Sequence, residues 1–456
     1  MAVAPVGRHM HVVIAGGAYG GLSTALNLLR LSSPGNTISE LLDGEARIPH
    51  GKPQYVPDYA NDKRSPANKR THRGQMRLDA HTLLSTIKKP KITIIEARDG
   101  YYHQVGTPLA HTSSSYTSRP WINYSDFHEL SDPNVTVVRG TVEKVDLGSK
   151  IVKYSDGSAG NHKTIRDLDY DYLVIATGLR RMWPVVLLAM EKKQYEKDSQ
   201  QFIKKIENCR NGVIVVGGGA IGIETAAEIK HQHPTIPVTL VHSRKRLLSS
   251  EPLSSEFQQT VLDLLRQQGV SVVLGHRVIK SVETITNKHQ NGISNIHLDD
   301  GTALSADMVI NANKGAKPAT EFLPEDVLDE NGFVKVASTG QLSGAQPGCS
   351  SVFALGDVVS SSEGIKLAST AIRAGRGVAM NIASCMMANQ PGVVSYHARQ
   401  MDIAIPNDTL KIVVGGTAAA YAQGKFTFGV DVRKKIFGDD VALSRGLRAL
   451  GVIMAE

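Results

Sequence analysis

A glycine-rich run near the N-terminus has the spacing of a loop that binds the pyrophosphate of a dinucleotide. The residues that align with its GxGxxG pattern are Gly16, Gly17, Ala18, Gly20 and Gly21. In this alignment Gly16 forms the tight turn, and Gly21 allows close contact between the next helix and the preceding strand. The N-terminus of that helix, whose N–H groups favour an anion, would hold the pyrophosphate. Ala18 replaces the middle glycine, so we expect a slightly looser contact there.

A second glycine-rich run matches the same pattern without a substitution. Gly217, Gly219 and Gly222 follow an apolar stretch and open a helical pattern, which is the context that makes the motif credible. The next apolar stretch ends at His242, where a protein that binds NAD usually carries an acid for the ribose 2′-hydroxyl. Arg244 follows, and a guanidinium favours a 2′-phosphate. The run therefore favours NADPH over NADH, the alternative being that these are solvated loop residues.

Three further features favour FAD as the ligand of the first loop. Glu96 is the acid expected to bind a ribose hydroxyl, and it follows Gly16 by 80 positions (96 − 16) because a long segment intervenes. The apolar run Ser351–Asp357 ends in Gly356 and Asp357, and this aspartate can accept hydrogen bonds from ribityl hydroxyls. Another apolar run ends in Ala176, Thr177 and Gly178. Features in this order and with these gaps indicate a flavin site.

The elements that must position these residues are alternating strands and helices. Apolar, β-branched runs predict buried parallel strands at His11–Ala15, Ile92–Glu96, Gly212–Val216 and Val238–Val241. Helical patterns occur at Leu22–Leu31, Ile223–His231 and Ile365–Ile382. The alternation predicts an α/β fold with doubly wound sheets.

Two segments depart from this plan. Ser32–Pro90 carries six prolines and six basic residues between Lys63 and Arg77, which predicts a solvated insertion. A nuclear-localisation signal and a retained intron are the alternatives. Pro391–Glu456 is expected to form a small separate unit. Its predicted elements are a strand pair at Lys411–Gly415 and Lys425–Val432, and a closing helix at Val441–Met454.

Composition excludes several classes of protein. The formal net charge of +8 suits nucleotides, but no basic run with interleaved aromatics indicates nucleic acid. Cys209, Cys349 and Cys385 form no CxxC pair, so neither a local redox disulfide nor a metal site is expected. The N-terminus lacks the core of a signal peptide, and no apolar run approaches the roughly 20 residues of a membrane span. We expect a cytoplasmic protein.

The motifs together resemble those of the pyridine-nucleotide-disulphide reductase superfamily of two-dinucleotide flavoproteins. They read GGAYGGL, ITIIEARDGYYH, YDYLVIATGL, GGGAIGIETAAEI, VTLVHSRKRLL and VFALGDV. Within the superfamily they resemble the apoptosis-inducing-factor-like branch, which includes the ferroptosis-suppressor NAD(P)H:quinone reductases, and ATGLRRMWPVV is similar to fungal members. The resemblance spans nearly the whole chain except Ser32–Pro90.

This resemblance implies two Rossmann-like domains and a small C-terminal α+β domain. The FAD-binding domain would comprise residues 1–210 and 310–390, the NAD(P)-binding domain residues 211–309, and the C-terminal domain residues 391–456. Glu224 matches a glutamate that lies near the nicotinamide and the flavin, the alternative being a solvated carboxylate. His103 would donate a proton near the flavin or be a packed histidine, and Lys366 would polarise a flavin carbonyl or lie at the surface.

The resemblance also implies the activity. It predicts an FAD-dependent oxidoreductase that takes hydride from NADPH or NADH and passes electrons to a small organic acceptor, with a quinone as the first expectation. The segment Tyr101–Pro108 has neither cysteine nor lysine, which makes thiol relay chemistry unexpected. One alternative is a tailoring oxidase of specialised metabolism that uses oxygen. Another is a nucleotide-sensing protein that binds flavin without turnover. The sequence leaves the oligomeric state open.

Overall fold

The structure is a computed structural model that describes residues 9–32, 88–157, 164–180, 188–284, 293–312, 316–360, 365–388 and 408–452. Most of the predicted insertion Ser32–Pro90 therefore lies outside the described residues. The strands are β1 His11–Ala15, β2 Lys91–Glu96, β3 Gly100–Tyr102, β4 Trp121–Asn123, β5 Val135–Asp146, β6 Ile151–Asp156, β7 Thr164–Asp169, β8 Tyr172–Ile175, β9 Leu179–Arg180, β10 Val213–Val216, β11 Val238–His242, β12 Ser271–Leu274, β13 Val278–Thr284, β14 Ile293–Leu298, β15 Ala303–Ala306, β16 Met308–Asn311, β17 Lys317–Pro318, β18 Val352–Ala354, β19 Thr409–Val414, β20 Thr417–Ala422 and β21 Lys425–Gly429. The helices are α1 Tyr19–Leu31, α2 Thr107–Ala110, α3 Lys192–Glu207, α4 Ala220–Gln232, α5 Ser255–Gln267, α6 Ala368–Ala388, α7 Val430–Ile436 and α8 Leu443–Leu450.

The first large sheet has seven strands in the order β18-β8-β1-β2-β5-β6-β7. Its first five strands are parallel, and in its centre Ile14 pairs with Ile94 on one side and Val174 on the other. All five residues of β1 are buried, as expected for a strand covered on both faces. The predicted α/β class and the strand at His11–Ala15 are confirmed.

A second sheet repeats this plan with four parallel strands in the order β12-β11-β10-β16. Each glycine-rich run follows an inner strand of its sheet, β1 in the first and β10 in the second, and each run leads directly into a helix. A three-stranded antiparallel sheet, β13-β14-β15, extends the second unit. Each sheet therefore contains one strand–loop–helix unit of the same kind.

Helices α1 and α6 pack against each other over the first sheet. Their contact depends on Gly375, because a Cβ atom there would lie 2.5 Å from the Gly20 carbonyl oxygen and 2.7 Å from Ser23 Cβ. The helix predicted from Ile365 begins at Ala368, and the N–H of Leu367, the residue before it, donates to Thr370 Oγ1 in its first turn (3.3 Å). Within the described ranges, no helix combines the length and hydrophobicity that a membrane span requires.

The C-terminal segment differs from its prediction. The predicted strands do not pair directly, because β20 lies between β19 and β21, and α7 begins at Val430 where the second predicted strand was to continue. The β20 sequence TAAAYA is rich in alanine, which has a low strand propensity and hid this strand. Ile412 and Tyr421 join the core beneath α4, and Leu447 joins the core beneath α1. The segment therefore contributes to the hydrophobic core of each of the two parallel sheets and its helices.

The α1–α6 contact predicts opposite effects for two glycine-to-alanine substitutions in helices. Gly375→Ala should lower the free energy of unfolding by about 1–3 kcal/mol, because the added methyl group meets the Gly20 carbonyl oxygen and the Ser23 side chain. Gly446→Ala in α8 is the control: its Cβ would have ordinary contacts of 3.8 Å, and alanine favours a helix by about 0.5–1 kcal/mol. Urea denaturation measures both. Equal stability changes for the two variants would contradict the described packing.

Candidate functional site

A cavity of about 1540 Å³ lies where the two parallel sheets end. Gly16, Ala176 and Leu355 line it, and they directly follow strands β1, β8 and β18, so the carboxyl edge of the first sheet faces it. The predicted residues that line the cavity are Gly16, Ala18, Gly20, Glu96, Ala176, Thr177, Gly178, Gly219, Glu224, Gly356, Asp357 and Lys366. The predicted residues outside its described lining are Gly17, Gly21, His103, Gly217, Gly222, His242 and Arg244.

The first glycine loop is held by hydrogen bonds from its own backbone. Gly16 has φ +103°, which favours glycine, and its N–H donates to the Ile95 carbonyl oxygen (2.9 Å). Glu96 Oε2 accepts from the Gly17 N–H (2.8 Å), and Oε1 accepts from the Arg98 N–H (3.1 Å). The Glu96 carboxylate therefore fixes the loop and also lines the cavity. Its contact with a ribose hydroxyl stays a prediction.

The second glycine loop repeats this construction with a different side chain. Gly217 has φ +127°, and its N–H donates to the Val241 carbonyl oxygen (2.9 Å). His242 takes the place of Glu96, because its Nδ1 accepts from the Gly218 N–H (3.1 Å). Burial, and then the nearby Arg244, lower the pKa of His242, which keeps the ring neutral and able to accept. The acid that is usual at the end of this strand is thus replaced by the neutral His242 ring, which accepts a hydrogen bond from the loop.

His242 and Arg244 do not line the cavity themselves, but they contact a segment that does. His242 Nε2 lies 3.3 Å from Ser249 Oγ, and Arg244 Nη1 donates to the Ser249 carbonyl oxygen (3.2 Å). Ser249, Ser250 and Glu251 line the cavity. The exposed Arg244 guanidinium therefore lies at the rim of the cavity beside the second loop.

Both glycine loops present the N-terminus of a helix to the cavity. No described side chain caps α1 or α4 at the N-terminus, and neither helix has an acidic residue in its first turn. The positive ends of the two helix dipoles are therefore available to an anion. At Gly219 and Gly178 an added Cβ would meet no described atom within 4 Å, which leaves room for a ligand beside both loops.

Glu224 lies inside the cavity. It is on α4, one turn after the second loop, and its Oε1 accepts from the Val413 N–H (3.2 Å). Burial raises the pKa of Glu224 to about 8, the hydrogen bond from Val413 opposes this rise, and Glu228 adds to it by a smaller amount. Its surroundings contradict the alternative of a solvated carboxylate on the helix surface.

The position of His103 agrees with the alternative of a packed histidine. The ring is buried outside the described cavity lining: Nδ1 is 3.0 Å from Tyr19 Oη, and Nε2 is 2.9 Å from the Val441 carbonyl oxygen. Because a carbonyl only accepts, Nε2 carries the hydrogen and Nδ1 accepts from the Tyr19 hydroxyl. Burial lowers the pKa of His103, so the ring is neutral. His103 therefore has the position of a packed residue that joins the first loop to the C-terminal segment.

Lys366 lines the cavity and is partly buried, unlike the exposed surface lysine of the alternative interpretation. Its Nζ donates to the carbonyl oxygens of Asp357 (2.7 Å) and Val359 (3.1 Å), and it lies 4.5 Å from the centre of the Phe333 ring. The ammonium group therefore stabilises the turn that presents Asp357 to the cavity.

Several lining residues carry no sequence signal of their own. They are Tyr19, Val105, Pro108, His111, Leu188, Met190, Phe202, Leu410 and Lys411. Tyr19 occupies a position of the first motif that accepts any residue, so the motif does not indicate where its side chain points. The rings of His111 and Phe202 lie 5.5 Å apart and come from segments that are distant in sequence, so only the fold brings them together.

The three cysteines form no disulfide among the described residues. Burial raises the pKa of Cys209 to about 11 and also raises that of Cys349, so both thiols are protonated at neutral pH. All three cysteines lie outside the described lining of the cavity.

Comparison with known proteins agrees with this geometry. The sequence profile of a family described as "Pyridine nucleotide-disulphide oxidoreductase" matches residues 10–375. Oxidoreductase OXR1 of Ajellomyces capsulatus is 35% identical over 437 residues, covering 95% of this chain and 86% of that protein. Ferroptosis suppressor protein 1 of Mus musculus is 29% identical over 273 residues, covering 59% of this chain and 68% of that protein. The solved sulfide:quinone oxidoreductase of Aquifex aeolicus has a TM-score of 0.59 at 15% identity, covering 93% of this chain and 88% of that one, a similarity of fold.

The contacts of His103 predict a structural role. His103→Phe should lower the free energy of unfolding by about 1–3 kcal/mol, because the Tyr19 hydroxyl and the Val441 carbonyl group lose their partner in a buried site. His128→Phe, at an exposed position, is the control and should change stability little. Urea denaturation at neutral pH measures both. A His103→Phe protein as stable as the parent would contradict this assignment.

Proposed function

Because the chain belongs to the pyridine nucleotide-disulphide oxidoreductase family, we propose that it binds FAD at the first glycine loop and NADPH at the second, and reduces a quinone. The observation that carries this proposal is that two loops of one design, at the ends of two separate parallel sheets, line the same cavity. Two dinucleotides bound at these loops would meet inside it. A volume of about 1540 Å³ exceeds the roughly 300–1,000 Å³ of ordinary small-ligand pockets.

We also propose domain boundaries that follow from this assignment. Residues 1–210 and 310–390 form the FAD-binding domain, 211–309 the NAD(P)-binding domain, and 391–456 the C-terminal domain. Support comes from β18, which pairs with β8 in the first sheet although the whole second sheet precedes it in the sequence.

The residues around the first loop fit FAD. The N-terminus of α1 suits the pyrophosphate of FAD, Glu96 suits its ribose, and Asp357 suits its ribityl chain. Gly178, whose φ is +69°, leaves open space beside them. When bound, FAD supplies a carrier for the two electrons and the hydrogen of a nicotinamide. The protein contributes position and electrostatics: Lys366 holds the Asp357 turn through the Asp357 and Val359 carbonyl oxygens.

Glu224 is the proposed proton donor to the acceptor. With a pKa of about 8, its carboxyl group is mostly protonated at pH 7. Oε1 accepts from the Val413 N–H, which leaves Oε2 to carry the proton into the cavity. A quinone is the proposed acceptor because it is flat and apolar and takes up protons when reduced. The apolar lining residues that suit it are Val105, Pro108, Leu188, Met190 and Phe202.

An acceptor comparison tests the proposed function against its two alternatives. The purified protein is titrated anaerobically with NADPH while its flavin spectrum is recorded, and a short-chain quinone or oxygen is then added. We expect flavin bleaching by NADPH and stoichiometric reduction of the quinone. Rapid oxygen consumption with an organic substrate and no NADPH would indicate an oxidase. Tight flavin and nucleotide binding without turnover of any acceptor would indicate a sensor.

The second loop predicts the nicotinamide that is used. The Arg244 guanidinium at the cavity rim can form a charge-assisted pair with a 2′-phosphate, a type of interaction of about 1.5–3 kcal/mol, so kcat/KM should be about tenfold or more higher for NADPH than for NADH. His242→Glu with Arg244→Ala should reverse this order, because the new carboxylate can accept from a bare ribose hydroxyl. Steady-state kinetics with both nucleotides measure it. A preference of the parent protein for NADH would contradict the proposal and would point to Glu251 as the ribose ligand.

A further inference from the structure

A second glutamate lies buried on α4, one turn beyond Glu224. Glu228 is 1% exposed, and neither carboxyl oxygen accepts a hydrogen bond of ordinary geometry from a described residue. Arg433 Nη2 on α7 lies 3.8 Å from its Oε1, too far for a hydrogen bond. A buried carboxyl group with no close hydrogen bond and only one distant positive charge is costly to keep ionised, so its presence calls for an explanation.

Glu228 connects the cavity side of α4 with the protein surface. Residues four apart on a helix lie on the same face, about 5–6 Å apart at Cβ, so Glu228 is the neighbour of Glu224 on its side away from the loop. On the other side, the side chain of Arg433 is 15% exposed and reaches solvent. The order from outside to inside is therefore Arg433, Glu228, Glu224 and the cavity.

We propose that Glu228 is the inner station of a proton relay that runs from solvent beside Arg433, through Glu228, to Glu224 in the cavity. The inference rests on the proposed function and adds the route of the proton. In the overall reaction NADPH + H⁺ + quinone → NADP⁺ + hydroquinone, the nicotinamide loses two electrons and one hydrogen, and the quinone gains two electrons and two hydrogens. The second hydrogen must enter as a proton from solvent.

The proton steps balance along this route. The Glu224 O–H bond breaks as an O–H bond forms on the quinone oxygen, and Glu228 then transfers its proton to the Glu224 carboxylate. Solvent returns one proton to Glu228 in each turnover. Glu228 does not touch the acceptor, so it acts through Glu224.

The charged surroundings of Glu228 suit transfer near neutral pH. Burial raises the pKa of Glu228 to about 7, and Arg433 opposes this rise. The pKa of Glu224 is about 8, so the two groups have similar affinities for a proton and either can pass it to the other. The titratable or charged groups on α4 and on the elements that pack against it are Glu224, Lys230, His231, Arg433, Asp431, Lys434, Lys435, Lys411 and His242. Arg433 and then the Gln232 side chain lower the pKa of Glu228, and the charge of Glu228 in turn raises the pKa of Glu224.

The first test needs no turnover. Burial holds the folded-state pKa of Glu228 above its ordinary value of 4.5, so the stability that its protonated form retains at low pH is lost as pH rises through about 7. Glu228→Gln removes this loss. The urea midpoint of the variant should therefore rise relative to the parent between pH 5 and pH 8.5. The control Glu207→Gln, at an exposed position on α3, should show no such pH-dependent difference.

The second test compares two acceptors on the flavin-loaded protein. Ferricyanide takes one electron and no proton, whereas a short-chain quinone takes protons. Glu228→Gln should slow quinone reduction about tenfold or more at pH 7.5, while ferricyanide reduction and flavin bleaching by NADPH stay within about twofold. Glu228→Asp, which keeps a titratable group, should recover part of the quinone rate.

The outcomes separate the relay from the acceptor. An unchanged quinone rate in Glu228→Gln, an equal loss with both acceptors, or a urea midpoint difference that is independent of pH would overturn the relay while leaving quinone reduction intact. A parent protein that reduces ferricyanide but no quinone would instead refute the proposed function, and with it the need for this proton.

Discussion

The structure depends on how closely a helix can cross the end of a strand without a side chain between them. In the first loop a Cβ on Gly21 would lie 1.8 Å from the Gly16 carbonyl oxygen, and in the second a Cβ on Gly222 would lie 1.9 Å from that of Gly217. Neither contact is possible for any other residue. Because the helix starts directly over the strand end, its N-terminus and the edge of the sheet face the same space. The cavity is a consequence of this crossing occurring twice.

Each loop also needs an acceptor for a backbone N–H that the crossing leaves exposed. The first loop uses the carboxylate of Glu96 on Gly17, and the second uses the neutral imidazole of His242 on Gly218. The hydrogen bonds are equivalent, but the charges are not. A carboxylate repels a phosphate beside it and a neutral ring does not, and this difference is the physical basis for proposing NADPH at the second loop.

Features that follow from local pattern were predictable from the sequence. The strand at His11–Ala15 and the α/β class come from apolar periodicity and are confirmed. Glu96 was located as the acid that ends the second predicted strand, and it lies against the first loop, while its contact with a ribose stays a prediction. The strand β20 was missed because its alanines have little strand preference, and the pairing of β19 with it is decided by the core beneath α4. His103 was assigned to chemistry from its place beside a motif. The contact with Val441 that fixes it crosses 338 positions of the chain, and no local pattern records such a contact.

The C-terminal segment covers the face of α4 that carries the half-buried Glu224 and the buried Glu228. The Val413 N–H on β19 supplies a donor to Glu224, and Arg433 on α7 supplies a positive charge beside Glu228. Without this sheet and helix, the same face of α4 would be open to solvent and both carboxyl groups would ionise at ordinary pH. The segment also accepts the hydrogen bond from His103, which in turn holds Tyr19 in the first loop. The part of the chain that carries no nucleotide motif thus covers one face of α4 and holds the first loop through His103.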